Sequence, residues 1–296
     1  MEWADVILVE LPWQVPAVAD LADSTPVVYS SHNVEQERFE TTADGVGSAW
    51  FTSRVTAVER AALERSTAVV CTSRRDAAEY RRRYDVDATT FVAPNGIGEA
   101  ALSDPESDAA ADERVRGRHG IRARSICLFV GTDYGPNREA VRSVVRMAEE
   151  ALERGLDAEF VVVGSVGESV EACPENVTVT GFVPELEPYF AAADVGLNPI
   201  RSGSGTNIKL LEYLAHGLPV VTTPFGARGF DVADGEEVLV AEQSAFLDTV
   251  TTVLSDDGVR RHLAETGRAY VRQNHTWERI SAELRERLVE LLTDAR

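Results

Sequence analysis

The feature that most constrains this chain is a rhythm. Short, uninterrupted apolar runs alternate with amphipathic stretches along almost its whole length. Runs over 6–9, 26–29, 68–71 and 90–93 read as strands, with helical patterns over 53–65 and 75–83 among them. Beyond residue 124 the rhythm repeats, with strands over 126–130, 160–163, 177–179, 195–197, 220–222 and 238–240. Helices are expected over 137–154, 186–191, 207–216 and 245–254, and a long one, charged on one side, over 277–292. In 137–154 the apolar residues Ala140, Val141, Val144, Val145, Ala148 and Leu152 share one side. Strands that are apolar throughout, rather than at alternate positions, are buried on both faces. Connected through helices, they predict parallel sheets covered on both sides, an α/β protein.

A chain of 296 residues usually makes two domains. One compositional break supports this. Residues 100–120 are acidic and alanine-rich, and they follow the turn signal Pro94-Asn95-Gly96. The expected organisation is a partial N-terminal domain over 1–98, an acidic linker over 99–124, a second domain over 125–275 and a C-terminal helix over 276–296.

Charge excludes one class of partner. The formal net charge is −20, so a nucleic acid backbone would be repelled by the summed field. The basic side is lopsided: Lys209 is the only lysine and the other basic residues are arginine. Acid excess with lysine almost absent points to an extreme-salt cytoplasm, where carboxylates hold hydration and salt screens charge over about 3 Å. An arginine-favouring GC-rich genome would also explain the missing lysine, though less readily the acid excess. No apolar run approaches the roughly 20 residues that span a bilayer. The start, Met-Glu-Trp-Ala-Asp, lacks the basic region and apolar core of a signal peptide. Cys71, Cys127 and Cys173 have neither disulfide-framework nor zinc spacing, and read as small hydrophobes in a reducing cytoplasm.

Residues 201–223 carry most of the chemistry. A Gly203-Ser204-Gly205-Thr206 loop leads into a helix expected from about Thr206, which Gly217 ends before Pro219. Free amides at a helix start, with the dipole, form an anion site. Lys209 adds a full charge one turn in. Thr206, Lys209 and Tyr213 are expected on one face, Glu212 next to Lys209, and Ile208, Leu211 and Ala215 on the core side. Such a helix suits a sugar nucleotide. The diphosphate needs donors and positive charge, and ribose hydroxyls need an acceptor pair that a carboxylate supplies. A surface Lys–Glu pair on a glycine-capped helix would look alike, but the only lysine in the chain standing just after a G-x-G turn favours the anion site.

On these residues, 203–223 resembles the donor-binding motif of the retaining GT-B glycosyltransferases, in particular family 4. Other segments resemble that family in its order: 129–137, 179–183 with 189–199, 92–97, 31–35 and Trp277. The resemblance implies two Rossmann-like domains, a nucleotide-diphosphate sugar as donor, no metal and no tightly bound cofactor. It implies a glycan or lipid-linked acceptor, with peripheral membrane contact open. Gly203, Ser204, Gly205, Thr206, Lys209 and Arg138 are then expected around the diphosphate, and Glu212 at the ribose. Phe182 and Val183 fit either a platform beside the base or a core pair. His32 is expected near the sugar C1 and the acceptor, and with Lys209 forms the expected catalytic set. The first glutamate of the family's Glu-x7-Glu pattern falls on Ser204, so the motif fits a Gly-x-Gly-Thr-x-x-Lys variant better. A complete acceptor domain of the family is nearly twice as long as 1–98 and starts with a Gly-rich loop, so this domain is expected to be incomplete. Two alternatives stay open on the same architecture: a non-catalytic or truncated nucleotide-sugar-binding protein, and a nucleotide-sugar epimerase.

Overall fold

The computed structural model describes residues 4–42, 48–102 and 108–294. The chain divides into two compact units. The first takes the described residues up to Gly96, the short segment Gly203–Thr206 and the helix that starts at Trp277. The second takes the described residues of Ile97–Ser202 and Asn207–Thr276.

In the first unit, β1 (Ile7–Glu10), β2 (Val27–Ser30), β3 (Ala68–Cys71) and β4 (Thr90–Val92) pair in parallel in that order. Helices Val15–Leu21, Glu35–Thr42, Ser48–Arg65 and Arg74–Tyr84 fill the crossovers. Successive strand side chains point to opposite faces, and both faces are covered. Tyr29, Val69 and Cys71 pack with Leu63, Tyr80 and Tyr84 on one side. Val28, Ala68 and Val70 face the other way, against Leu284, Leu288 and Leu291 of the helix Trp277–Asp294. Those leucines recur at i, i+4 and i+7, so one stripe is covered and the charged side expected there is left to solvent.

The second unit has β5 (Ser125–Val130), β6 (Ala158–Val163), β7 (Val177–Gly181), β8 (Val195–Asn198), β9 (Val220–Thr222) and β10 (Leu239–Val240), all paired in parallel. Their order is β10-β9-β8-β5-β6-β7. Helix Gly135–Glu153 lays Val141, Val144 and Met147 on Phe129, Phe160 and Leu197. On the opposite face Leu210, Leu211, Leu214 and Val271 meet Leu128, Val161 and Val220. Apolar runs read as strands are therefore strands, and the parallel α/β class holds.

The stretch 99–124, read as a linker, is folded into the second unit where it is described. Helix Asp108–His119 buries Ala111 and Val115, and Arg268 donates to the Leu102 carbonyl. Besides the short Val15–Leu21, two further helices, Glu35–Thr42 and Asp257–Asn274, lie where no helix is expected. The first has Phe39 as its only large apolar residue and so shows no stripe. The second opens on Asp256, whose carboxylate accepts from the Gly258 and Val259 amides.

Candidate active site

The strand order of the second unit picks out one place. From β5 the chain runs outward through β6 to β7, then returns to build β8, β9 and β10 on the other side of β5. Between β5 and β8 the direction of winding reverses. Open α/β sheets bind ligands outside the carboxyl ends of their strands at such a reversal. The loops there are 131–134, leading into helix Gly135–Glu153, and 199–207, leading into helix Ile208–Ala215.

The first loop is held by close backbone approach. Gly164 has φ +103°, and a Cβ there would stand 2.2 Å from the Gly131 carbonyl oxygen. Asn137, in the first turn of the following helix, donates through Nδ2 to the Thr132 carbonyl at 2.9 Å. Its Oδ1 accepts from Lys209 Nζ at 2.9 Å, so one carboxamide ties the loop to the lysine. Lys209 Nζ also lies 4.1 Å from the centre of the Phe129 ring. No carboxylate forms an ion pair with Lys209 among the described residues. Burial pushes its pKa down from 10.5 to about 7, and the charge of Glu212 offsets only part of this. Burial also raises the Glu212 carboxyl, against the opposing pull of Lys209. An ammonium carries three donors, and Asn137 takes one. The arrangement is a partly buried cation with two donors to spare.

The helix begins at Ile208 rather than near Thr206, so Thr206 lies outside the face expected to carry it with Lys209. Tyr213 is a core group: it is fully buried, and its hydroxyl accepts from the Val130 amide at 2.8 Å. The core side is Leu210, Leu211, Tyr213, Leu214 and Ala215, whereas Ile208, expected there, is 47% exposed.

The Gly203–Thr206 segment packs within the first unit. Ser204 Oγ donates to Asn33 Oδ1 at 3.3 Å, and Asn95 Nδ2 donates to Thr206 Oγ1 at 2.6 Å. Gly205 has φ +64°, and a Cβ there would stand 2.4 Å from Asn33 Oδ1. His32 follows β2 and is half exposed, with Nε2 3.9 Å from Glu10 Oε2 at the end of β1. It thus stands at the carboxyl edge of the first sheet.

The family described as Glycosyl transferases group 1 matches residues 124–256, and that described as Glycosyltransferase Family 4 matches residues 2–100. The chain belongs to the family 4 glycosyltransferases. Its fold is GT-B. Sucrose-phosphate synthase from Thermosynechococcus elongatus superposes with a TM-score of 0.77 at 21% identity, over 99% of this chain and 75% of that one. Anabaena HepE, solved with UDP, gives 0.77 at 14% identity, over 96% of this chain and 79% of that one. WaaG, a glycosyltransferase involved in lipopolysaccharide biosynthesis, gives 0.64 at 21% identity, over 86% and 76%. No curated protein sequence matches the chain.

In this glycosyltransferase the other expected residues are placed as follows. Arg138 is exposed and paired: the Asp133 carboxylate accepts from its Nε at 2.5 Å and from its Nη2 at 2.7 Å. That pairing holds the Asp133 carboxyl below its usual range. Phe182 is 82% exposed just past β7, while Val183 packs against the core, so the two do not act as one pair. Residues that the sequence reading missed support the second loop. Glu139 accepts from Arg201 at 2.6 Å and from Ser202 at 2.8 Å. Asn198, buried at the end of β8, donates to Thr222 Oγ1 at 3.0 Å and accepts from Asn207 Nδ2 at 2.7 Å. The only signal for Asn198 is a polar residue closing an apolar run before Pro199.

Proposed function

We propose that this glycosyltransferase takes its sugar from a nucleoside-diphosphate sugar and passes it, with retention of configuration, to a hydroxyl of a glycan or lipid-linked acceptor. Lys209 carries this reading. It is a partly buried cation with spare donors, placed where the strand order reverses, in a chain with no other lysine. A diphosphate supplies the missing counter-charge. HepE, of the same fold, has been solved with UDP and with UDP-glucose.

In the step proposed, the bond from the sugar C1 to the diphosphate oxygen breaks and the acceptor oxygen bonds to C1. The acceptor's proton leaves with the departing diphosphate. Negative charge grows on that leaving oxygen, and donors held ready for it lower the barrier. Lys209 and the amides leading from Gly203 to the helix are assigned this work. Arg138 joins them by exchanging Asp133 for phosphate. Glu212 is assigned to the ribose hydroxyls, Phe182 to the base, and His32 to the acceptor side. The second unit is assigned the nucleotide, and the first, apart from its Gly203–Thr206 segment, the acceptor. Among the described residues no helix is long and apolar enough to cross a membrane, so a lipid-linked acceptor would be met from the surface.

The test is a thermal-shift screen over nucleotide sugars at high salt, followed by product analysis with the donor that binds. A donor at about 100 times its dissociation constant stabilises by roughly 2.7 kcal/mol. The reading fails if no nucleotide sugar shifts the melting temperature, or if the product from a bound donor has inverted configuration.

A further inference from the structure

Glu59 lies inside the first unit on helix Ser48–Arg65 and is fully buried. No cation pairs with it among the described residues. Its carboxylate is instead surrounded by donors. The Glu35 and Gln36 amides donate to it at 2.6 and 3.0 Å. The Tyr80 hydroxyl donates at 3.0 Å, and the Tyr84 hydroxyl also donates. The two amides open helix Glu35–Thr42, whose first carbonyl acceptor is Val34. A valine cannot cap these amides, so Glu59 does so from another helix.

The same network reaches one residue further. The single Tyr80 hydroxyl proton is shared between Glu59 and the Asn33 carbonyl, which lies 2.9 Å from Tyr80 Oη, and Ser31 Oγ, 2.5 Å from that hydroxyl, donates to the same carbonyl at 2.9 Å. Asn33 is thus gripped through its backbone, and its side chain faces Gly203–Thr206. Its Oδ1 accepts from Ser204 and fills the space where any side chain at Gly205 would stand. A carboxylate buried without a counter-charge is costly, and a helix cap alone does not need two tyrosines beside it.

We propose that Glu59 is a positioning residue for the Gly203–Thr206 segment, acting through Tyr80 and Asn33. Its bearing on turnover rests on the reading that this segment serves the donor sugar, but its bearing on the segment does not. Glu59→Gln keeps the shape and removes the carboxylate. Hydrogen exchange on the whole chain, without ligand, is expected to quicken at least threefold in peptides covering 203–206 as well as 31–36. Peptides covering β3 should be unchanged. Asn33→Ala should quicken 203–206 similarly, and the double variant no more than either alone. With the donor found in the screen, Glu59→Gln should lower kcat at least tenfold, and by more than it raises KM. Tyr80→Phe leaves Glu59 its other donors and gives a second route to the same readouts if Glu59→Gln does not fold. Faster exchange confined to 35–42, or additive effects of Glu59→Gln and Asn33→Ala at 203–206, would overturn the proposal. Unchanged exchange at 203–206 in both Tyr80→Phe and Asn33→Ala would do the same. A missing donor would sink the transferase reading and leave the exchange result standing.

Discussion

Replacing Lys209 with methionine separates two effects that burial sets against each other. In the free protein the ammonium is held at about 7 rather than 10.5. Between those values the folded chain holds fewer protons than the unfolded one. Stability without ligand therefore rises with pH across that window and is lowest below about 7. At 1.36 kcal/mol for each tenfold, the full depression corresponds to ~4–5 kcal/mol. Solvent reaches the partly buried side chain and screens this, so Lys209→Met is expected to gain ~1–3 kcal/mol at pH 6 and progressively less above. Donor binding runs the other way, because a diphosphate favours the charged lysine. Affinity is greatest below pH ~7 and falls toward tenfold per pH unit above it, roughly 50-fold from pH 7 to 9. The diphosphate of a nucleotide sugar is a diester and does not titrate there, so calorimetric titration with UDP-glucose at high salt reads the lysine. Lys209→Met should bind ~2–4 kcal/mol more weakly at pH 6 and lose the slope. Glu212→Gln removes the charge that partly offsets the depression, and should move the fall to lower pH. A dissociation constant flat from pH 6 to 9, or a slope that persists in Lys209→Met, would refute the assignment. So would a methionine variant less stable than the parent at pH 6.

Three shorter predictions follow, two from the same geometry and one from the composition. Asn137→Ala removes the acceptor of Lys209 and the donor to Thr132, and should weaken nucleotide binding by ~1–2 kcal/mol with little change in melting temperature. Gly205→Ala forces a side chain into φ +64° and onto Asn33 Oδ1, and should cost at least ~1–2 kcal/mol of stability together with most of the turnover. The melting temperature should climb with potassium chloride concentration and far-ultraviolet ellipticity should be lost on dialysis into dilute buffer. Full stability in dilute buffer would remove the high-salt reading of the composition.

The sheets were legible because burial on both faces leaves a local trace. Ala68–Cys71, Ala158–Val163, Val195–Asn198 and Val220–Thr222 are buried throughout, with Glu159, Asn198 and Thr222 as their polar residues. The helix after the Gly loop was legible in kind but not in its first residue. Asn207, not Thr206, stands at its cap, because Asn198 holds the Asn207 side chain from below. That contact spans nine residues and a strand end, and no local pattern announces it. The same reason hid Glu59, which reads as one more charge on a helix with several. Its role comes from four donors on other elements, brought together only by packing. Lys209, the proposed diphosphate ligand, stands out in the sequence for a different reason. It is an exception to the composition, and exceptions need no alignment to be seen.

Composition and geometry also explain each other at Lys209. A surface lysine meets its phosphate through water, and concentrated salt confines that attraction to about 3 Å. In a chain of net charge −20 the summed field opposes the anion as well. A cation that works under those conditions has to lose its water before the ligand arrives. Partial burial beside the Phe129 ring removes some of that water, and the Asn137 carboxamide fixes the ammonium's direction without adding negative charge. An aspartate at that position would hold the ammonium more tightly and restore its ordinary pKa, but it would cancel the field that attracts the diphosphate. Asn137→Asp is therefore expected to raise the melting temperature near neutral pH and to weaken UDP-glucose binding by more than Asn137→Ala does. Tighter binding in Asn137→Asp would show that orientation, not free charge, is what the site supplies.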